Sequence, residues 1–169
     1  LREMDAAGMM LDLTHLNDQS FYEALERYPG SVLASHSNCR ALAPGERQLS
    51  DDQIRTLLAH DGMMGIVSAV WMLKEPSGDP TQLRDQVSME TVADHIDHVC
   101  QLAGNAEHVG IGSDLDGGFG NRGCPRDLDT FADQLKLVDI LRGRGYAEAQ
   151  IRDVMYGNWV RHFTRAWTR

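Results

Sequence analysis

Met9-Met10-Leu11-Asp12-Leu13-Thr14-His15 and Ser31-Val32-Leu33-Ala34-Ser35-His36-Ser37-Asn38 are built alike: a short apolar run, then polar residues and a histidine. Such runs read as buried strands, over Met9–Leu13 and Ser31–Ala34, and two more follow at Met63–Ala69 and His108–Gly112. Stretches of helical period separate them. Gln19–Tyr28 ends at Pro29-Gly30, and Ser50-Asp51-Asp52-Gln53 opens a helix to about His60 with a capping box. Met89–Ala103 stops at Gly104, Leu128–Arg142 stops at Gly143, and Ala147–Trp167 carries a break near Gly157. Strands alternating with helices predict an α/β fold with a parallel sheet, because parallel neighbours need a crossover. The pattern fits an open doubly wound sheet or part of a (β/α)8 barrel. A whole barrel takes about 250 residues, so 169 residues would supply half of one, as a single domain over residues 1–169.

Apolar residues make up 42% and charged residues 24%, as in an ordinary globular chain. The net charge of −9 argues against nucleic acid and anionic membrane surfaces as partners. No apolar run reaches the length of a membrane span, so no transmembrane segment is expected. Cys39, Cys100 and Cys124 are widely spaced, without a C-x-x-C pair, which fits a reducing cytoplasm better than a disulfide framework. The opening Leu1-Arg2-Glu3-Met4-Asp5 has neither an initiator Met nor a signal-peptide pattern, and reads as mid-helix in a longer chain.

Polar residues cluster where α/β folds place their sites, beyond the carboxyl ends of the strands. His15 and His36 arrive there on successive strands, so two imidazoles face one rim and can share a divalent ion. Gly110-Ile111-Gly112-Ser113-Asp114-Leu115-Asp116-Gly117-Gly118 brings carboxylates to the end of the fourth strand. Asp114 and Asp116 would repel a phosphate, so proton transfer or ammonium binding suits them better than a phosphate cradle. A purely structural Gly/Asp turn is the plainer alternative. Arg47, in Pro44-Gly45-Glu46-Arg47-Gln48, can offer a substrate carboxylate a bidentate fork, or be a solvated surface residue. His95 and His98, beside Asp94 and Asp97, read as an exposed polar helix face, and Met63-Met64 and Trp159-Val160 read as core packing.

Together these segments resemble the membrane dipeptidase (renal dipeptidase-like) family of zinc peptidases, along essentially the whole chain. The likeness rests on Asp12-Leu13-Thr14-His15, Ala34-Ser35-His36-Ser37-Asn38, Arg47, Val92-Ala93-Asp94-His95-Ile96-Asp97-His98, His108 to Gly117, and Gly157-Asn158-Trp159-Val160-Arg161. It implies the C-terminal half of a (β/α)8 metallohydrolase barrel whose complete site holds two zinc ions and cleaves dipeptides. Members also accept a D-residue at the C-terminal position, and some open β-lactam rings. By the same likeness His15 and His36 are metal ligands, Arg47 holds the substrate carboxylate, and Asp114 handles the substrate amine and the proton. The family's H-x-D pair, its metal-bridging Glu and a further substrate-binding His belong to the N-terminal half, and no stretch here supplies them. A partial copy is therefore expected, pairing with the missing half or with a copy of itself. A non-catalytic fragment or pseudoenzyme, or another metal-dependent amidohydrolase, are the rival readings.

Overall fold

A computed structural model describes residues 1–75, 80–115 and 117–168. Strands β1 (Leu11–Asp12), β2 (Val32–Ser37), β3 (Met63–Ile66) and β4 (Val109–Ile111) form one sheet in the order β1-β2-β3-β4. All three pairings are parallel, and helix lies between each strand and the next. Sequential order with helical returns is the pattern of half a (β/α)8 barrel, one of the two arrangements that the alternation allows and the one that the family resemblance implies.

Helix α1 (Arg2–Ala6) leads into β1, and α2 (Asp18–Arg27) follows it. Asn17 caps α2 by accepting the Ser20 N–H at 2.8 Å, and Phe21 and Leu25 fill the space against the sheet. In α3 (Asp51–Ala59) the expected capping box is present: Ser50 Oγ accepts from Gln53 N at 3.2 Å, and Gln53 Oε1 accepts from Ser50 N at 2.9 Å. A short α4 (Val70–Leu73) follows β3, and α5 (Met89–Ala103) ends at Gly104, whose φ of +70° suits a residue without Cβ. Helices α6 (Lys136–Gly143), α7 (Glu148–Arg152) and α8 (Asn158–Trp167) close the described chain. The core runs through Leu13, Val32, Ala34, Met64 and Ile66 of the sheet region to Ile54, Leu57, Val92, Ile96 and Leu137 of the helices. Each such side chain contributes about 1.5–3 kcal/mol by leaving water.

Several boundaries differ from the periodicity. β2 runs on through Ser35 and His36 to Ser37, while β3 stops at Ile66. The helix expected from Leu128 begins only at Lys136, after a 3-10 turn over Phe131–Leu135. Near Gly157 there is no break: a π-helical turn, Asp153–Gly157, joins α7 to α8. Val160 is exposed rather than core, whereas Trp159 packs on β4 and donates from Nε1 to the Ile111 carbonyl at 3.0 Å.

His95 and His98 are not a shared polar face. His95 is fully buried on α5; its Nδ1 accepts from the Cys39 amide at 3.1 Å, and its Nε2 lies 3.0 Å from the Leu73 carbonyl. It ties β2's end to α4 through α5. His98 meets Asp51 at the start of α3, 2.7 Å away.

Candidate active site

The rim is shaped by an irregularity in β2. Ala34 pairs with Met64 but Ser37 pairs with Ile66, so β2 holds one residue more than β3 across this interval. Such a bulge re-aims side chains, and here it falls on Ser35 and His36. Two glycines make room for it. A Cβ on Gly65 or on Gly112 would stand 2.1 Å from the Ser35 carbonyl oxygen. Beyond the bulge, buried Asn38 staples the next loop: its Oδ1 accepts the Val67 amide at 3.0 Å, and its Nδ2 donates to the Met72 carbonyl at 2.9 Å. The following loop is turned back by Leu49, whose amide donates to the Asn38 carbonyl at 2.9 Å, and this return brings Arg47 over the rim.

His15 sits just past β1 with φ of +70°, and Asp114 just past β4 with φ of +59°. Left-handed backbone is uncommon outside glycine, and its clustering at a strand-end rim marks a site. The two imidazoles meet there, His15 Nε2 lying 3.1 Å from His36 Nε2. Arg47 Nη2 stands 3.5 Å from His15 Nε2. Burial lowers the His36 imidazole below its ordinary value; Asp114 pulls the other way, while His15 and Arg47 deepen the lowering. Burial also lowers the Arg47 guanidinium, with Asp114 and then Asp12 opposing it. These couplings put Asp114, Arg47, His15 and His36 in one field, the constellation expected from the strand ends. Asp116 lies outside the described residues.

Sequence reasoning passed over Asp12 and Ser35 as functional residues. Asp12 Oδ1 accepts the amides of Thr14 and Ser35, both at 3.0 Å, and its Oδ2 accepts the Ser35 hydroxyl at 2.5 Å. Burial opposes ionisation of Asp12, but these hydrogen bonds together outweigh it and hold the carboxyl below its usual value. Asp12 is paired with Leu33 rather than with Ser35, so the sequence carried no register signal for this contact.

The donor set fits a divalent metal ion. Two nitrogens on one tetrahedral zinc stand about 3.3 Å apart at bond lengths of about 2.0–2.1 Å, close to the observed Nε2 separation. Among the described residues, no group of three or more His, Cys, Asp and Glu side chains is placed to share an ion. A cavity of about 720 Å³, lined by Ile111, Ser113, Phe131, Leu135, Ile151 and Met155 and by none of His15, His36, Arg47 or Asp114, lies beside β4.

The membrane dipeptidase family (peptidase family M19) matches residues 1–168. This chain belongs to that family. Mouse dipeptidase 3 is 29% identical over 163 residues, covering 96% of this chain and 31% of its own. A Klebsiella pneumoniae protein described as an uncharacterized protein in the pqqA 5′ region is 27% identical over 167 residues, 99% of this chain and 58% of its own. The metallopeptidase of Rhodobacter sphaeroides, solved with a phosphinate mimic of the dipeptide L-Ala-D-Ala, superposes with a TM-score of 0.84. It is 31% identical and matches 98% of this chain against 45% of its own. The chain thus spans from 31% to 58% of the length of these relatives. Among the described residues no helix is long and apolar enough to cross a membrane.

Proposed function

We propose that the protein is a zinc-dependent dipeptidase, with this chain forming the C-terminal half of its barrel. The observation that carries the reading is the convergence of His15 Nε2 and His36 Nε2 at 3.1 Å on a rim shared with Arg47 and Asp114. His15 and His36 would hold the metal, which when bound supplies Lewis acidity for peptide hydrolysis. Arg47 binds the free carboxylate of the dipeptide, for which a forked, permanently charged donor is suited. Asp114 accepts hydrogen bonds from the substrate ammonium and carries the proton towards the leaving amine. A C-terminal D-residue is accepted because the carboxylate, rather than the side chain, is the group that is gripped. The exposed edges β1 and β4, with Phe131, Leu135 and Tyr156 exposed nearby, supply the surface on which further strands of the barrel, or a second copy, would pack. Cysteines that form no disulfide among the described residues support a cytoplasmic location.

One observation favours a non-catalytic chain instead: two convergent imidazoles fall short of the three protein ligands usual for catalytic zinc. Hydrolysis of L-Ala-D-Ala and L-Ala-L-Ala by the intact protein, with metal content measured by elemental analysis, separates the two. The dipeptidase reading expects turnover that is lost on chelation and regained with zinc. Zinc-replete protein without turnover would leave the non-catalytic reading standing, and turnover that survives chelation would overturn the metal site.

A further inference from the structure

If His36 is a metal ligand, as the proposed function holds, its Nε2 must be free of a proton. In front of the ring the 3.1 Å contact with His15 Nε2 needs a proton on one of the two nitrogens and accepts either assignment, so which nitrogen of His36 is bare is decided behind the ring. Asp12 is acceptor-only when ionised, so the one hydroxyl proton of Ser35 is committed to Asp12 Oδ2. Ser35 Oγ then has only lone pairs left to offer. One of them faces His36 Nδ1 at 2.8 Å, and that contact is a hydrogen bond only if Nδ1 carries the proton. The other faces the Thr14 hydroxyl at 3.4 Å, while Thr14 Oγ1 accepts the His36 backbone N–H at 3.3 Å. Every position around Ser35 Oγ is therefore assigned, and a neutral imidazole with its proton on Nδ1 is bare at Nε2.

We infer that Asp12 is a positioning residue, which acts through Ser35 to hold His36 in the Nδ1–H tautomer and so presents Nε2 to the metal. Asp12 touches neither imidazole. Its effect is one of direction: the carboxylate draws the serine proton away from the ring. The two amides on its other oxygen keep it ionised and in place, so it bridges β1 to the bulge of β2. An outer partner of this kind is typically worth 10–100-fold in metal affinity.

Asp12→Asn tests the direction of the relay, because it keeps the shape and can reverse the protons. The Asn oxygen can retain both amides, and its NH2 would donate to Ser35 Oγ. The serine proton is then released towards Nδ1, and the ring proton moves to Nε2. In the intact protein, labelled with 15N-histidine and stripped of metal, two-bond 1H–15N correlations distinguish the protonated nitrogen from the bare one. We expect Nδ1–H in the wild type, Nε2–H in Asp12→Asn, and a mixture in Ser35→Ala. Zinc affinity, measured by competition with a chelator, should fall about 10–100-fold in Asp12→Asn. An Nε2–H wild type would overturn the inference, and this result does not depend on any variant folding. So would weakened zinc binding in Asp12→Asn with the His36 tautomer unchanged, which would make Asp12 merely structural. A tautomer switch in a protein that cleaves no dipeptide would support the relay and count only against the dipeptidase reading.

Discussion

His95 should make the stability of the fold fall as the medium turns mildly acidic. The ring is 0% exposed, and Nδ1 accepts a backbone N–H from Cys39. Its single proton is therefore on Nε2, donating to the Leu73 carbonyl. A second proton would replace an acceptor by a donor facing the Cys39 amide, and would bury a charge. Burial accordingly lowers the His95 value, with the Leu73 bond and Asp94 opposing it and His98 adding to it. The unfolded ring titrates near its ordinary value of about 6.5. Below that pH the unfolded chain takes up a proton that the folded chain refuses. The contribution of a neutral His95 is thus fully present above pH of about 6.5 and lost below it, at about 1.4 kcal/mol per pH unit while the folded ring stays neutral. His95→Gln removes the titration while keeping a donor and an acceptor. Denaturant unfolding at pH 7.5 should find the variant less stable by about 1–3 kcal/mol, through an imperfectly satisfied Cys39 amide or Leu73 carbonyl. At pH 5.5 that gap should shrink by about 1.4 kcal/mol. A gap that stays constant across this range would refute a neutral, buried His95.

Three further perturbations address the rim itself. Asp114→Asn should lower dipeptide turnover by about two to four decades with metal content unchanged; retained turnover or lost zinc would remove its proton-handling role. Arg47→Ala should weaken use of a free dipeptide by about 2–5 kcal/mol while sparing a C-terminally amidated one, and equal loss on both would make Arg47 structural. Gly65→Ala would place a Cβ 2.1 Å from the Ser35 carbonyl and 2.9 Å from the Gly112 Cα. Overpacking of this kind costs about 1–3 kcal/mol, and the displaced bulge should weaken zinc binding as well, so unaltered melting and unaltered zinc affinity would contradict the close approach.

The alternation of apolar runs with helical periods was sufficient for the parallel sheet, since burial on both faces leaves few other uses for Val32-Leu33-Ala34 or Met63-Met64. His15, His36 and Asp114 could be placed on one candidate rim from the sequence because strand ends in such folds share it, whereas Arg47, in the loop after β2, was reached through the family resemblance. The bulge was not, because an extra residue is defined by the partner strand: nothing local in Ser35-His36 records that Gly65 lies opposite. The error at His95 was avoidable. Val92, His95, Ile96 and Val99 fall at one helical stripe, and all four are buried. The neighbouring Asp94, Asp97 and His98 drew attention to charge where the spacing already placed the ring inside.

The irregularities of the fold are unevenly distributed, and their location bears on function. Three described residues other than glycine adopt left-handed backbone, namely His15, Asp61 and Asp114. Asp61 turns the chain after α3, whereas the other two are candidate site residues. Each such position costs about 1–3 kcal/mol and persists only where its surroundings impose it. At the same rim lie the bulge at Ser35-His36 and the two glycines whose missing side chains admit it. The lower parts of β2, β3 and β4 are regular in register and filled by Val32, Leu33, Met63 and Val109. Core packing by itself would favour continuing that regularity to the strand ends. That it stops where two imidazoles, a guanidinium and two carboxylates converge argues that the rim is shaped for the groups it presents, at the expense of the sheet that carries them.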